Sequence, residues 1–155
     1  MKYLIVENVR SAYNVGAIFR TADGAGVDKI FLVGYTPLPI DRFGRPQTEI
    51  AKTSLGASVT MNWESAASTA EIITQLQSDG CTVVALEQTP NSISISEFVV
   101  PENVAYVLGN EVEGVTAQTL SLVDRVIDIP MLGKKESLNV SVAAGIVMYH
   151  DVLHR

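Results

Sequence analysis

Five short apolar runs punctuate the chain: "YLIVE", "KIFLV", "CTVVALE", "VAYVLG" and "RVIDI". Each is β-rich and nearly continuous, the pattern of strands buried on both faces of a parallel sheet. Stretches of helical character lie between them. "NVGAIFRTADGAG" follows the first run and ends at glycines, as helix C-termini often do. "ESAASTAEIITQLQSDG" sets Ala66, Ala70, Ile73 and Leu76 at helical spacing and also stops at a glycine. "TAQTLSLVD" predicts a shorter helix, and "LNVSVAAGIVMYHDVLHR" predicts a closing helix that is apolar on nearly every side. The alternation predicts an α/β fold, a mostly parallel sheet flanked by helices. The segment "YTPLPIDRFGRPQTEIAKTSLGA", residues 35–57, breaks the rhythm with prolines and Gly44 and reads as a long loop, a place where function often sits. No repeat, linker or low-complexity tract divides the chain, so residues 1–155 are expected to form a single domain.

Composition narrows the class. At 155 residues, 47% hydrophobic and 18% charged, the chain is long enough to bury a core and too apolar to be disordered. No apolar run has the length of a bilayer span, and "MKYLIVEN" reaches Glu7 too soon for a signal peptide, so no membrane association is expected. The single cysteine, Cys81, lies in an apolar run and reads as a buried core thiol, which together with the absence of any pair points to a reducing cytoplasm.

The net charge of −6 argues at first against a polyanionic partner. The distribution changes that. No lysine or arginine falls between Thr53 and Asp124, whereas Arg10, Arg20, Lys29, Arg42, Arg45 and Lys52 crowd the first third and Lys134 and Lys135 return late. A basic face on an acidic protein is therefore open, beside the plainer reading of solvated surface charge.

Three clusters of glycine and polar residues follow the apolar runs, where open α/β sheets bind ligands. They are Asn14, Gly16 and Arg20 in "NVGAIFR"; Gly109, Asn110, Glu111 and Gly114 in "LGNEVEG"; and "IPMLGKKESLN" from Ile129 to Asn139. Singly, each has a structural explanation: Asn14 or Ser137 as a helix cap, the glycines as turn residues. Together, in one small domain, they predict a shared site. Dinucleotide-binding, Walker A and serine-hydrolase signatures are absent. His150 and His154 are spaced i, i+4, but "HDVLH" lacks the zincin glutamate, and no metal site is expected.

In order and position these clusters resemble the three motifs of the SpoU (TrmH-like) RNA ribose 2′-O-methyltransferases of the SPOUT superfamily. "NVGAIFRTADGAGV" resembles the first, "VLGNEVEGV" the second and "IPMLGKKESLNVSVAAGI" the third, while "KTSLGA" matches the segment that follows the family's variable loop. The second motif departs mildly, with Val112 where a glycine is commoner. The resemblance implies a SPOUT fold whose C-terminal segment forms a deep trefoil knot, S-adenosylmethionine (AdoMet) as cofactor, and a homodimer. It implies a cofactor site of Leu86, Gly109, Ile129, Met131, Ser137 and Leu138, and a catalytic set of Asn14, Arg20, Glu111, Ser137 and Asn139. Ile146, Tyr149 and Leu153 of the last helix would then be buried in the knot and the dimer interface.

Methyl transfer to a ribose hydroxyl needs the oxygen aligned with the S–CH₃ bond, so positioning supplies much of the rate. The family view gives deprotonation to Arg20. A guanidinium is effectively always protonated, so clamping a phosphate and stabilising the developing alkoxide is the physically preferred role. Arg10, Arg42, Arg45 and Lys52 are the expected RNA phosphate contacts. The chain starts directly at its first strand, so no separate RNA-binding domain is expected and recognition falls to the dimer's own surface or to an auxiliary RNA-recognition protein. The expected substrate is tRNA or rRNA, with tRNA slightly favoured for so lean a chain. Two rivals remain: a non-catalytic RNA-binding module that keeps the fold, and a nucleotide-binding α/β domain.

Overall fold

The computed structural model describes all 155 residues. Seven strands form one sheet in the order β3-β2-β1-β6-β4-β7-β5, every pairing parallel. In chain order they are β1 (Lys2–Glu7), β2 (Lys29–Val33), β3 (Trp63–Ala66), β4 (Thr82–Leu86), β5 (Ile93–Ser94), β6 (Val104–Leu108) and β7 (Arg125–Asp128). The helices are α1 (Ala12–Gly24), α2 (Thr48–Ser54), α3 (Ala57–Thr60), α4 (Thr69–Ser78), α5 (Ala117–Leu122) and α6 (Val140–His154).

The continuous apolar runs follow from this architecture. β1, β6 and β4 lie inside the sheet with a core on each face, so successive side chains alternate between the cores. Leu4, Val6, Ile30, Leu32, Val84 and Tyr106 point to the larger core beneath α1, α2 and α6. Ile5, Phe31, Val83, Ala85 and Val107 point to the smaller core with Ile73 and Leu76 of α4. Cys81 belongs to this second core, and burial pushes its thiol up to about 11, so it is an inert packing residue.

Two elements differ from the sequence reading. "WESA" is the edge strand β3 rather than the start of a helix, and α4 begins only at Thr69, capped by Ser68. The expected long loop at 35–57 is shorter, because α2 starts at Thr48 under a Gln47 cap and buries Ile50 against α1. Both end elements of the chain are pinned by one buried charge network. Asp151 of α6 is fully buried and pairs with Lys2 Nζ at 2.6 Å and Arg155 Nε at 2.7 Å, and Tyr106 OH donates to it at 3.1 Å. Burial pushes the Asp151 carboxyl up, but the hydrogen bonds and charges of Arg155 and Lys2 more than offset this and hold it below its ordinary value.

Candidate functional site

The sheet ends where the polar clusters begin. A cavity of about 560 Å³, within the range of small-molecule sites, opens beyond the C-terminal ends of the neighbouring strands β6, β4 and β7. All six residues expected to hold the cofactor line it: Leu86 after β4, Gly109 after β6, and Ile129, Met131, Ser137 and Leu138 between β7 and α6. The chain must turn sharply at each strand end. A Cβ on Gly109 would lie 2.3 Å from Gly114 C and Val115 N, so only glycine lets the 109–115 loop fold back on itself. Gly114 adopts a φ of +71°, and its empty side fits against the Glu87 carboxylate, which accepts from Val115 N–H at 2.9 Å. Val112 needs no such freedom. It lacks a positive φ and is 91% exposed, which explains why a side chain is tolerated where the motif more often has glycine.

A hydrogen-bonded relay runs along one side of the site. Asn139 Nδ2 donates to Asn14 Oδ1 at 3.2 Å, and Asn14 Nδ2 donates to Glu111 Oε1 at 3.3 Å. Glu111 also accepts from the backbone N–H groups of Arg10 and Ser11, each at 3.0 Å. Burial pushes the Glu111 carboxyl up, yet the donors from Arg10, Ser11 and Asn14 outweigh it, so the group is held below its ordinary value and stays ionised. One residue from each motif is thus joined across 125 positions of sequence.

The capping readings change hands. Ser11, not Asn14, caps α1, its Oγ accepting from Asn14 N–H, which leaves the Asn14 amide free for the relay. Asn139, not Ser137, caps α6: its Oδ1 accepts from Ser141 N–H at 2.9 Å and Ser141 Oγ at 2.6 Å. Ser137 makes no hydrogen bond within the chain and faces the cavity. The small polar residues at the mouth of α6 therefore divide the work, one finishing the helix and one left available.

Arg20 is not brought to this cavity. It is exposed on α1 and borders a separate depression with Asp23, Gly24, Ser54, Leu55, Gly56, Ala57 and Thr60. The cavity itself has no lysine, arginine or histidine in its lining, but it has Glu87, Glu111, Glu113, Asp128 and Glu136. Its electrostatic character suits a cationic ligand. Arg10, Arg42, Arg45 and Lys52 are all exposed; Arg45 Nε pairs with Asp41 at 2.9 Å, whereas Arg42 makes no ion pair. No group of three or more metal-ligating side chains occurs, and His154 Nδ1 instead meets the His150 carbonyl oxygen at 2.8 Å. Ile146, Tyr149 and Leu153 stand exposed on the isolated chain, beside exposed Val142 of α6.

Sequence reasoning passed over Glu87 and named Asn110 only as a member of the second cluster, without a role. Glu87 fixes the 114–115 backbone, and its signal was a carboxylate placed directly after an apolar strand. Asn110 is buried; its Oδ1 accepts from Val112 and Glu113 N–H, and its Nδ2 donates to Asn8 O and Tyr35 OH. Its saturation with partners makes it the keystone of the loop.

Comparison with known proteins agrees with this geometry. The model of the SpoU rRNA Methylase family matches residues 1–149. The chain is 32% identical over 153 residues, 98% of its length, to 58% of the 23S rRNA (guanosine-2′-O-)-methyltransferase RlmB of Ralstonia nicotianae. It is 28% identical over 144 residues, 93% of its length, to 59% of the tRNA (guanosine(18)-2′-O)-methyltransferase of Escherichia coli K12. It thus spans a little under three fifths of these curated relatives. Among solved structures, the A. aeolicus TrmH/SpoU tRNA modifying enzyme superposes with a TM-score of 0.87 at 26% identity, covering 99% of this chain and 75% of that one. The AdoMet-bound rRNA methyltransferase from Sinorhizobium meliloti gives 0.88 at 28% identity, over 99% of this chain and 56% of that one. With the family model matched along nearly the whole chain, and a parallel sheet and joined motifs that agree with it, this chain belongs to the SpoU rRNA Methylase family.

Proposed function

We propose that this chain is the catalytic domain of an AdoMet-dependent RNA methyltransferase that acts on a ribose 2′-hydroxyl of tRNA or rRNA. One observation carries the reading. The cavity gathers residues of the second and third motifs, and the Asn139–Asn14–Glu111 hydrogen bonds tie the first motif to Glu111 of its lining. A non-catalytic module would have no need to keep this polar set intact.

The lining fits AdoMet. The turn at Gly109 leaves main-chain groups of the 109–115 loop at the cavity wall, Leu86, Ile129, Met131 and Leu138 offer apolar surface, and the surrounding carboxylates suit a net positive ligand. When bound, AdoMet supplies an electrophilic methyl group on a sulfonium. The protein's part is chiefly positioning. Ser137 is the free hydroxyl at the mouth of α6 and orients the incoming ribose, and Asn139 is held in place by its cap and by Asn14. Ionised Glu111 fixes the Asn14 amide so that its carbonyl faces Asn139.

A cation is required where the alkoxide develops, and no basic residue lines the cavity of a single chain. We assign this role to Arg20 of a second copy, in a homodimer built on the exposed apolar face of α6. Ile146, Tyr149 and Leu153 support that interface. The C-terminal segment is proposed to be threaded as a trefoil knot; the bond from Gln88 Nε2 to Glu136 O and the contact of Arg155 with Glu102 O support a wrap of residues 88–103 around it. Arg10, Arg42, Arg45 and Lys52 are assigned to RNA phosphates. Cytoplasmic residence follows from the substrate.

Calorimetry with AdoMet in excess chelator, followed by methyl-label transfer to total RNA, tests the reading. Binding and labelled RNA are expected. Absence of labelled RNA would count for the rival readings, and AdoMet binding that vanishes on chelation would show a metal requirement.

A further inference from the structure

The segment between β2 and α2 has a feature that cofactor chemistry leaves unused. Residues 40–46 form a small closed hairpin, bridged between Ile40 and Pro46. Asp41 locks it: its carboxylate accepts from Phe43 N–H at 2.8 Å, Arg45 N–H at 3.0 Å and Arg45 Nε at 2.9 Å, while Asp41 N–H donates to Arg45 O at 2.8 Å. These bonds hold the Asp41 carboxyl below its ordinary value despite the opposing effect of burial, the Arg45 backbone donor being the strongest influence. At the tip Phe43 is 66% exposed, with the Arg42 and Arg45 guanidiniums 4.8 and 4.9 Å from its ring centroid. The bonds of the turn hold the Phe43 ring in solvent with two guanidiniums against it, and an exposed π-face beside positive charge suits a stacking, anionic partner.

Resting on the function proposed above, we propose that Phe43 is a stacking platform for an unpaired RNA base, flanked by Arg42 and Arg45 on the adjoining phosphates. Aromatic rings beside cations are the chemistry that recognises single-stranded RNA, because every base has a π-face and every linkage a charge. The two arginines differ. Arg45 is tied to Asp41 and is held in a fixed place beside the ring, where a phosphate can meet it, whereas Arg42 has no partner but the ring. A cation–π contact at an exposed site is weak. A base therefore takes Arg42's place on the ring, and Arg42 swings to the phosphate that comes with it. The hairpin follows the C-terminal end of β2, on the same sheet edge as the cavity, and Tyr35 of the same connection accepts from Asn110 of the cavity wall. In duplex RNA the bases are stacked away, so the substrate presents an unpaired nucleotide here.

The test compares a hairpin RNA with an open loop against a fully paired RNA of equal length, by fluorescence anisotropy. Phe43→Ala is expected to weaken open-loop binding on the order of tenfold, leave the duplex within about twofold, and leave the salt slope unchanged. Phe43→Trp is expected to restore open-loop binding. The inference is overturned if Phe43→Ala binds both RNAs like the parent, loses both equally, or flattens the salt slope. It is also overturned if Phe43→Trp fails to rescue, or if the parent protein binds neither RNA. The functional reading is judged separately, by the parent protein's label transfer from AdoMet to RNA.

Discussion

Replacing Asp151 by Asn removes the one carboxylate that pairs with both the Lys2 and the Arg155 side chains while keeping the side chain's size. The Asp151 side chain has no exposure and the Lys2 side chain 8%, so neither charge is well screened by water. Arg155 is about a third exposed and can rehydrate; Lys2 cannot, and its remaining partner is Ala25 O at 2.9 Å. Breaking a buried pair in this way costs about 3–5 kcal/mol. For a domain of this size each kcal/mol moves Tm by about 2–4 °C, so Tm should fall by roughly 6–20 °C. Urea and thermal unfolding followed by circular dichroism measure it. The cost arises from an orphaned charge, not from lost packing. A Lys2→Met, Tyr106→Phe, Asp151→Leu triple variant should therefore recover most of the stability, since replacing a buried ion pair by apolar groups is often neutral. A loss below about 1 kcal/mol in Asp151→Asn would show the pair to be screened after all. A triple variant as unstable as the single one would refute the charge argument.

Other outcomes follow from the site. Glu111 ionises at lower pH in the folded chain than in the unfolded one, so its contribution to stability is complete above the ordinary carboxylate range and is lost as pH falls through the lowered folded value. Denaturation of Glu111→Gln against pH should accordingly show a shallower acid-side decline than the parent, and identical slopes would contradict the relay. Arg42→Ala with Arg45→Ala should weaken RNA binding and reduce the salt slope by up to about two phosphate contacts, with AdoMet affinity unchanged in calorimetry. Arg20→Ala and Asn139→Ala homodimers should each be inactive. Mixed by subunit exchange they should regain up to about half the parental rate per mixed dimer, because one site then carries both defects and the other carries neither. Inactivity despite verified exchange would place Arg20 and Asn139 in one chain's own site.

The parts legible in the sequence were those with a strong local signature. β1, β2, β4 and β6 had continuous apolar runs because each is buried on two faces. β7 showed a run although only Ile127 of it is buried, and the motifs stood out as glycines and small polar residues close after strands. β3 had no such signature. As an edge strand it exposes Glu64 and Ser65, so Ala66 merged with the helix that follows. β5 has two residues, held by pairing with β7 alone. α2 buries little besides Ile50 and Ser54, too few positions to show a period. The cavity lining was to be expected only through the resemblance to the SpoU family, whose second and third motifs supply most of it. The division of labour among the polar residues was not legible, since whether Ser11 or Asn14 caps α1 depends on where the chain bends. The Glu87 contact is a long-range meeting of two loops that no local pattern records.

The central claim is that the methyl group goes to a ribose 2′-oxygen. RNA labelled by the protein from methyl-labelled AdoMet can be digested to completion in alkali, which cleaves only beside a free 2′-hydroxyl. The label should appear in alkali-resistant dinucleotides. Label released entirely as mononucleotides would mean that the methyl group sits on a base, and would contradict the account.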